Sequence, residues 1–588
     1  MNALDLFVFV LYALGMVAMG GVFVRRQKDT REMFTAGGHS PWWLSGLSAF
    51  MTIFSAGTFV VWGGIAYRHG LVGVSILFVI GLAALGVGWL LAARWKRFGY
   101  DSAAAFIDAR FGRSLVQFYI WLQGTIGVFT MGGALYALAV MVCALAPLPA
   151  GHVLADPATG HLSVTLTSLM LCVMVIVITS GGGLWAVLMT DALQFIILTA
   201  AVLVVVPLVL IRVGGPSEFV ESAPPGFFSP VTDEFSWVFL AGWMLVFFFK
   251  MGGEWAYVQR FACVPTPRDA RKSSYLFGLL YLVSPFVWMF PPMAYRLLDP
   301  DADPEQAYIL ACQAVLPAGM LGLIIAAMCS ATASMVTTQL NVFAGALTTE
   351  FYRHVLRPQA SEKELVRAGR VITVLLGGIT VAGALLIPLL GSYTGYILGS
   401  VAMLTGPLVL PTIWGLFSRK IGLTTAWLVT ALGVLVGVVM KLGFGPAGWF
   451  VGVDALAPLN AWLTEHVRIA EILVGTVFPL LLLSGAEISI QKTNPGWERV
   501  LARRAMQRTE PVGKPSVLPA RLCAWSTCAI AVLVAVIALI GRTDPLVFFS
   551  FALLLMGIGI AILVVTRKAA PAGIAAVTLA GEENRSRG

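Results

Sequence analysis

Hydrophobic positions in this chain gather into long unbroken runs, without the 3.6- or 2-residue alternation of a half-solvated helix or strand. Most runs are about 20 residues long, enough for a helix to cross the hydrocarbon core of a bilayer. They recur from end to end, at 5–24, 41–66, 71–93, 114–146, 162–180, 184–211, 236–259, 274–296, 312–346, 368–388, 393–417, 421–441, 466–485, 520–541 and 546–566. The pattern predicts an all-α polytopic membrane protein with about 15 transmembrane helices. The first run has no basic residues before it and no small-residue cleavage site after it, so it reads as a retained span. Composition agrees: of 588 residues, 59% are hydrophobic and 11% charged, against about 25% charged in soluble domains.

Charge then orients the spans. Alternate loops carry the arginines and lysines: Arg25, Arg26, Lys28 and Arg31; Arg94, Lys96, Arg97, Arg110 and Arg113; Arg260, Arg268, Arg271 and Lys272; Arg353, Arg357, Lys363, Arg367 and Arg370; Arg419 and Lys420. The intervening loops are acidic or sparse, with Glu218, Glu221, Asp233 and Glu234 in one and Asp299, Asp301, Asp303 and Glu305 in another. By the positive-inside rule the chain sits in the plasma (inner) membrane with its N-terminus outside and its C-terminus in the cytoplasm. The net charge of +9 then reflects contact with anionic lipid, not with nucleic acid. The segment 496–508 in the cytoplasmic loop 486–519 reads equally as an interfacial amphipathic helix or a solvated linker. The tail 568–588 is expected to be disordered.

Two spans are locally irregular. The run Trp243 to Arg260 carries Lys250 and Glu254 around Gly252-Gly253. A lysine at membrane depth costs about 2.5 to 3.5 kcal/mol on insertion scales and faces a cavity or a partner. Glycines weaken the helix beside it. The segment is therefore either a buried Lys250–Glu254 ion pair or part of a ligand site. The other irregular run, Met51 to Phe59, interrupts a bulky helix with Thr52, Ser55, Ala56, Gly57 and Thr58. With the first span set aside, spans two to six and seven to eleven form two groups of five, and each irregular helix opens its group. Paired interrupted helices point to an inverted-repeat transporter with its site at the midplane. The resulting divisions are 1–34 (extra helix), 35–211 and 212–417 (five-plus-five core), 418–567 (accessory helices) and the tail.

Chemistry of other kinds is missing from the pattern. The seven cysteines are scattered through apolar runs as core residues, and no histidines sit at metal-ligand spacing. No nucleophile, base and oxyanion set and no GxxxxGK[ST] loop is present, which argues against an enzyme and against nucleotide as a ligand. The expected partners are a small organic solute and the lipid bilayer, with the monomer as the functional unit. The remaining alternative in function class is a membrane sensor built on a transporter fold.

Four segments carry a family resemblance: GGLWAVLMTDALQ at 182–194; YVQR at 257–260 with Ser273; LPAGMLGLIIAAMCSATASMVTTQLN at 316–341 with Glu350-Phe351-Tyr352; and ASEKELVRAGR at 360–370. With FTAGGHSPWW at 34–43 and GLFSRK at 415–420, they make the chain resemble the sodium/solute symporters. The resemblance implies five-plus-five inverted-repeat architecture, alternating access and a sodium ion between spans two and nine. Its ligands map to the carbonyls of Met51, Phe54 and Ala331 and the hydroxyl of Ser334, with Asp191 near the ion's exit path. Substrate contacts are expected from Ser55, Thr58, Phe59, Lys250 and Glu254, with Tyr396 and Ser400 closing the site. Gln339 and Asn341 are placed nearer the cytoplasmic end. Two departures bear on this: Met335 stands where the family has a second hydroxyl, and Lys250 where sugar-transporting relatives have an aromatic gate residue. Lys250 is then read as a counter-charge for a substrate carboxylate, with sodium retained. The alternative is that its ammonium replaces sodium, giving proton-coupled or cation-independent transport.

Overall fold

In a computed structural model of the chain, the described residues are 30–145, 160–317, 319–387, 393–444, 448–507, 518–540 and 545–568, with some of 5–14 and 148–156. The first span lies largely outside them, as do the tail beyond 568 and residues 508–517.

The second span is two half-helices, α1 (Trp42–Met51) and α2 (Gly63–His69), joined through an irregular stretch and a π-helical turn, Thr58–Trp62. In order there follow α3 (Leu71–Phe98), α4 (Ala103–Phe111), α5 (Arg113–Ala144), α6 (Val164–Val213), α7 (Trp237–Gly253), α8 (Trp255–Ala262), α9 (Pro267–Leu298), α10 (Met320–Leu356), α11 (Glu362–Leu386) and α12 (Tyr393–Gly415). Beyond this come α13 (Leu423–Gly443), α14 (Val467–Ser489), α15 (Pro495–Gln507), α16 (Leu518–Ile540) and α17 (Pro545–Lys568). Among the described residues, 11 helices are long and apolar enough to cross a membrane, or up to 12 when α7 and α8 count as one bent span.

The spans placed at 162–180 and 184–211 both fall within the helical residues of α6, in which the side chains of 175–183 lie outside the described residues. One expectation changes: the span placed at 312–346 starts later. A separate helix, Ala307–Val315, precedes it, and α10 begins after Gly319 at φ +92°. That start is capped from far away: Asp5 accepts the backbone N–H of Gly319 at 2.6 Å and of Gly322 at 2.9 Å. A buried carboxylate thus meets the positive end of α10 and two of its orphan donors.

The interior is helix on helix. α1 packs against α6 and α9, α7 against α3 and α12, and α10 against α5 and α6. α13 and α14 lie along α12, and α16 and α17 pair with each other on the flank of α6.

Candidate functional site

Both irregular spans are broken, and each break has local chemistry. At the first, Ser55 Oγ accepts Gly57 N–H (3.2 Å), Thr58 Oγ1 accepts Ser55 N–H (3.2 Å), and Thr332 Oγ1 of α10 accepts Ala56 N–H (2.9 Å). Hydroxyls thus satisfy the donors that open the second half-span, as N-cap residues do. At the second, the chain turns by 54° at Glu254, one extended residue (φ −64°, ψ 136°) between α7 and α8. The break therefore falls after the glycine pair. Gly252 and Gly253 are helical, and their role is close packing: a Cβ would lie 2.3 Å from Leu91 or 2.5 Å from Val409. The indole N–H of Trp95 donates to the carbonyl of Gly252 at 2.7 Å.

The segments that carry the residues expected around sodium meet at one junction. The Phe54 N–H donates to the Met51 carbonyl at 3.0 Å, and the Ala56–Thr332 bond fastens this stretch to the turn of α10 that carries Ala331 and Ser334. The Ser334 and Ser48 hydroxyls both donate to the Asp191 carboxylate. A serine whose proton is given to a carboxylate turns its lone pairs elsewhere, as a cation ligand must. Asp191 is 1% exposed, and the fully buried Arg260 lies 3.9 Å away, donating also to Ser48 (3.0 Å), Gln259 (2.7 Å) and Thr338 (2.9 Å). One charge pair thus ties α1, α6, α8 and α10 together.

Next to Thr338 of this junction, Gln339 lines a cleft. Its polar wall is Gln123, Thr130, Lys250, Glu254, Gln339, Ser400 and Thr405, and its apolar wall includes Trp255, Phe343, Leu404, Leu408 and Val409. Lys250 and Glu254 form an ion pair at 2.8 Å, one turn apart, with their side chains 18% and 21% exposed. Gln339 Nε2 donates to Glu254 at 3.2 Å, so Gln339 belongs to the cleft and not to the helix end where the sequence reading placed it. Gln123 is 8% exposed, and its amide nitrogen has no hydrogen-bond partner among the described residues. Sequence reasoning passed it over, although an amide inside an apolar span is a signal of its own.

Span two does not line this cleft. The Ser55 and Thr58 hydroxyls are engaged within their own span, and Phe59 packs with Phe54 (5.2 Å), Trp288 (5.9 Å) and Tyr308 (4.0 Å). Tyr396 lies on α12, but its side chain is outside the described residues.

Each end of the bundle carries a cavity. One is lined by Arg68, His69, Glu234, Glu305, Thr394 and Arg468. There Thr394 donates to Glu305 (3.3 Å), Arg468 pairs with Glu234 (3.2 Å) and Glu471 (3.3 Å), and burial beside Asp303 raises the Glu305 carboxyl above its ordinary range. The other is lined by Gln259, Asn341, Glu350, Arg503 and Trp255 among others. Trp255 lines both this cavity and the cleft.

Comparison with known proteins adds the context. The family described as "Sodium:solute symporter family" matches residues 33–437. Sodium/myo-inositol cotransporter 2 of Oryctolagus cuniculus is 27% identical over 489 residues, covering 74% of this chain and 69% of that protein. The sodium/glucose cotransporter of Vibrio parahaemolyticus is 24% identical over 486 residues, covering 76% and 84%. The structure of a Na+-coupled sialic acid symporter in a substrate-bound outward-open state aligns with a TM-score of 0.62 at 18% identity, over 82% of this chain and 98% of that one. That likeness shows the five-plus-five inverted-repeat fold.

Proposed function

Since the chain belongs to the sodium:solute symporter family, we propose that its cleft carries a small uncharged polyhydroxylated solute, of the sugar or cyclitol kind, into the cell. The protein is a secondary transporter, and sodium is its coupling ion. The observation that carries the choice of solute is the Lys250–Glu254 pair at 2.8 Å. It leaves the cleft without net charge from these two groups, so a substrate carboxylate meets no free ammonium. It also argues against Lys250 as a surrogate for sodium. The sequence reading favoured an acid, and the closed ion pair reverses that preference. Hydroxyl groups suit the remaining wall, which offers both donors and acceptors, while Trp255 and Phe343 suit the C–H faces of a ring.

We place the ion at Met51, Phe54, Ala331 and Ser334, with Asp191 holding the Ser334 hydroxyl, and the solute against Gln123, Lys250, Glu254, Gln339 and Ser400. In the orientation argued from the loop charges, the Glu305 cavity is external and the Arg503 cavity cytoplasmic. Trp255 is then the partition that the solute passes on release.

The test is uptake into proteoliposomes of neutral polyols, sugar acids and amino acids, with sodium and with choline. Saturable, sodium-dependent uptake of the neutral polyols alone is expected. Preference for an acid in the wild type would overturn the reading. Glu254→Gln, which frees the ammonium, should move selectivity toward acids. Independently, Gln123→Leu should raise the KM for the solute by about 5- to 100-fold, corresponding to about 1 to 3 kcal/mol for an unmet polar contact. Its sodium half-saturation should stay unchanged. An unaltered KM would remove Gln123 from the solute site.

A further inference from the structure

The helix α15 lies beyond the part of the chain that matches the family, and transport as described does not use it. It is nonetheless fixed in place. The Asn494 N–H donates to the Arg419 carbonyl at 2.8 Å, and Asn494 Oδ1 accepts from Arg110 Nη1 at 3.1 Å. Arg110 in turn donates to the Ser418 carbonyl at 3.0 Å. Gly496 approaches so closely that a Cβ there would lie 2.0 Å from the Arg110 carbonyl oxygen. Trp497 and Val500 are buried, with the Trp497 ring 6.2 Å from Phe98.

This docking gathers cations. Arg503 lies over Tyr100 at 5.5 Å and Arg504 over Phe98 at 5.7 Å. Contact through the guanidinium face leaves the N–H edges available to an oxyanion. Arg97, at the end of α3, and Arg499 are exposed beside them. The proximity of Arg499 adds to burial in pulling the Arg110 guanidinium down to about 10. Among the described residues, none of Arg97, Arg499, Arg503 and Arg504 has an acidic partner at ion-pair distance. The same end of the bundle shows apolar surface outward: Trp89 and Leu90, about two turns back along α3, and Phe417 and Leu501 are all exposed.

We propose that Arg97, Arg499, Arg503 and Arg504 form a binding site for the phosphate headgroup of an anionic phospholipid, whose acyl chains lie along the exposed flank of α3. Four guanidiniums without an ion-pair partner among the described residues call for an anion, and the bordering apolar surface favours a lipid over a free phosphate. Arg503 also lines the cavity next to Trp255, so a bound headgroup sits at the rim of that cavity.

The experiment uses the full-length protein, purified and exchanged into equal mixtures of phosphatidylglycerol and phosphatidylcholine, with retained lipid counted by native mass spectrometry. Wild type should retain phosphatidylglycerol in several-fold excess. Arg499→Gln with Arg503→Gln and Arg504→Gln should abolish that excess, since each charge is worth about fivefold. The same three positions changed to Lys, with melting temperature followed throughout, should keep most of it. Equal retention of both lipids by wild type, or the same excess in the Gln variant, overturns the proposal. Displacement of the lipid by millimolar glycerol phosphate alone would also overturn it, because the site would then read only the phosphate. Lipid mixed into both leaflets makes the result independent of membrane orientation and of the solute.

Discussion

Asp191→Ala should abolish sodium-driven uptake and lower the melting temperature of the purified protein. The carboxylate is the acceptor for Ser48 and Ser334 and the counter-charge 3.9 Å from the fully buried Arg260. Removing one member of a buried pair costs about 3 to 5 kcal/mol, because the other is left charged and unpaired. That is a large share of the roughly 5 to 15 kcal/mol that holds a domain together. Asp191→Asn keeps acceptors for the two serines and should fall between wild type and Ala. Pairing Asp191→Asn with Arg260→Met removes both charges and should recover folded yield without recovering uptake. Wild-type sodium half-saturation in Asp191→Ala would show that the Ser334 hydroxyl does not depend on this carboxylate for its orientation.

Gly475→Val is expected to reduce uptake below about a tenth through overpacking, which typically costs 1 to 3 kcal/mol and occasionally more. At the crossing of α12 and α14, a Cβ at Gly475 would lie 2.2 Å from the Ala402 carbonyl oxygen and 2.3 Å from the Met403 Cα. A Cβ at Gly406 would lie 1.8 Å from the Gly475 carbonyl oxygen. These are backbone atoms and cannot move aside as a side chain can. α12 supplies Ser400, Leu404, Thr405 and Leu408 to the cleft, so displacing it deforms the solute's wall. Gly485→Ala on the same α14 has nothing within 4 Å and should leave uptake and melting unchanged. Equal behaviour of the two variants would mean that α12 does not need this close approach.

Much of this architecture is legible in the chain because a membrane span needs only length and apolarity, properties that a run such as 421–441 states locally. The two broken spans are also legible, since Lys250 and the hydroxyls around Ser55 conflict with their surroundings. The position of the second break is not. The glycines at 252 and 253 suggested it, but they answer to Leu91, Val409 and Ile413 across the bundle, contacts that no local pattern contains. For the same reason Ser55 and Thr58 resembled ligands, whereas the structure uses their hydroxyls on the N–H groups exposed by the break. The cleft itself is assembled from α5, α7, α8, α10 and α12, and its membership depends on helix rotation. Gln339 and Gln123 enter it through that rotation, one assigned elsewhere and the other not considered.

The cap that Asp5 places on α10 also bears on how the chain is made. Its bond to Gly319 joins residues 314 positions apart. At about 5 to 20 residues per second, the first span waits about 15 to 60 s after its own synthesis before the helix it caps has left the ribosome. For that interval a carboxylate destined for burial has no partner on α10. Span one then completes its contact with α10 only after spans two to eight have entered the bilayer.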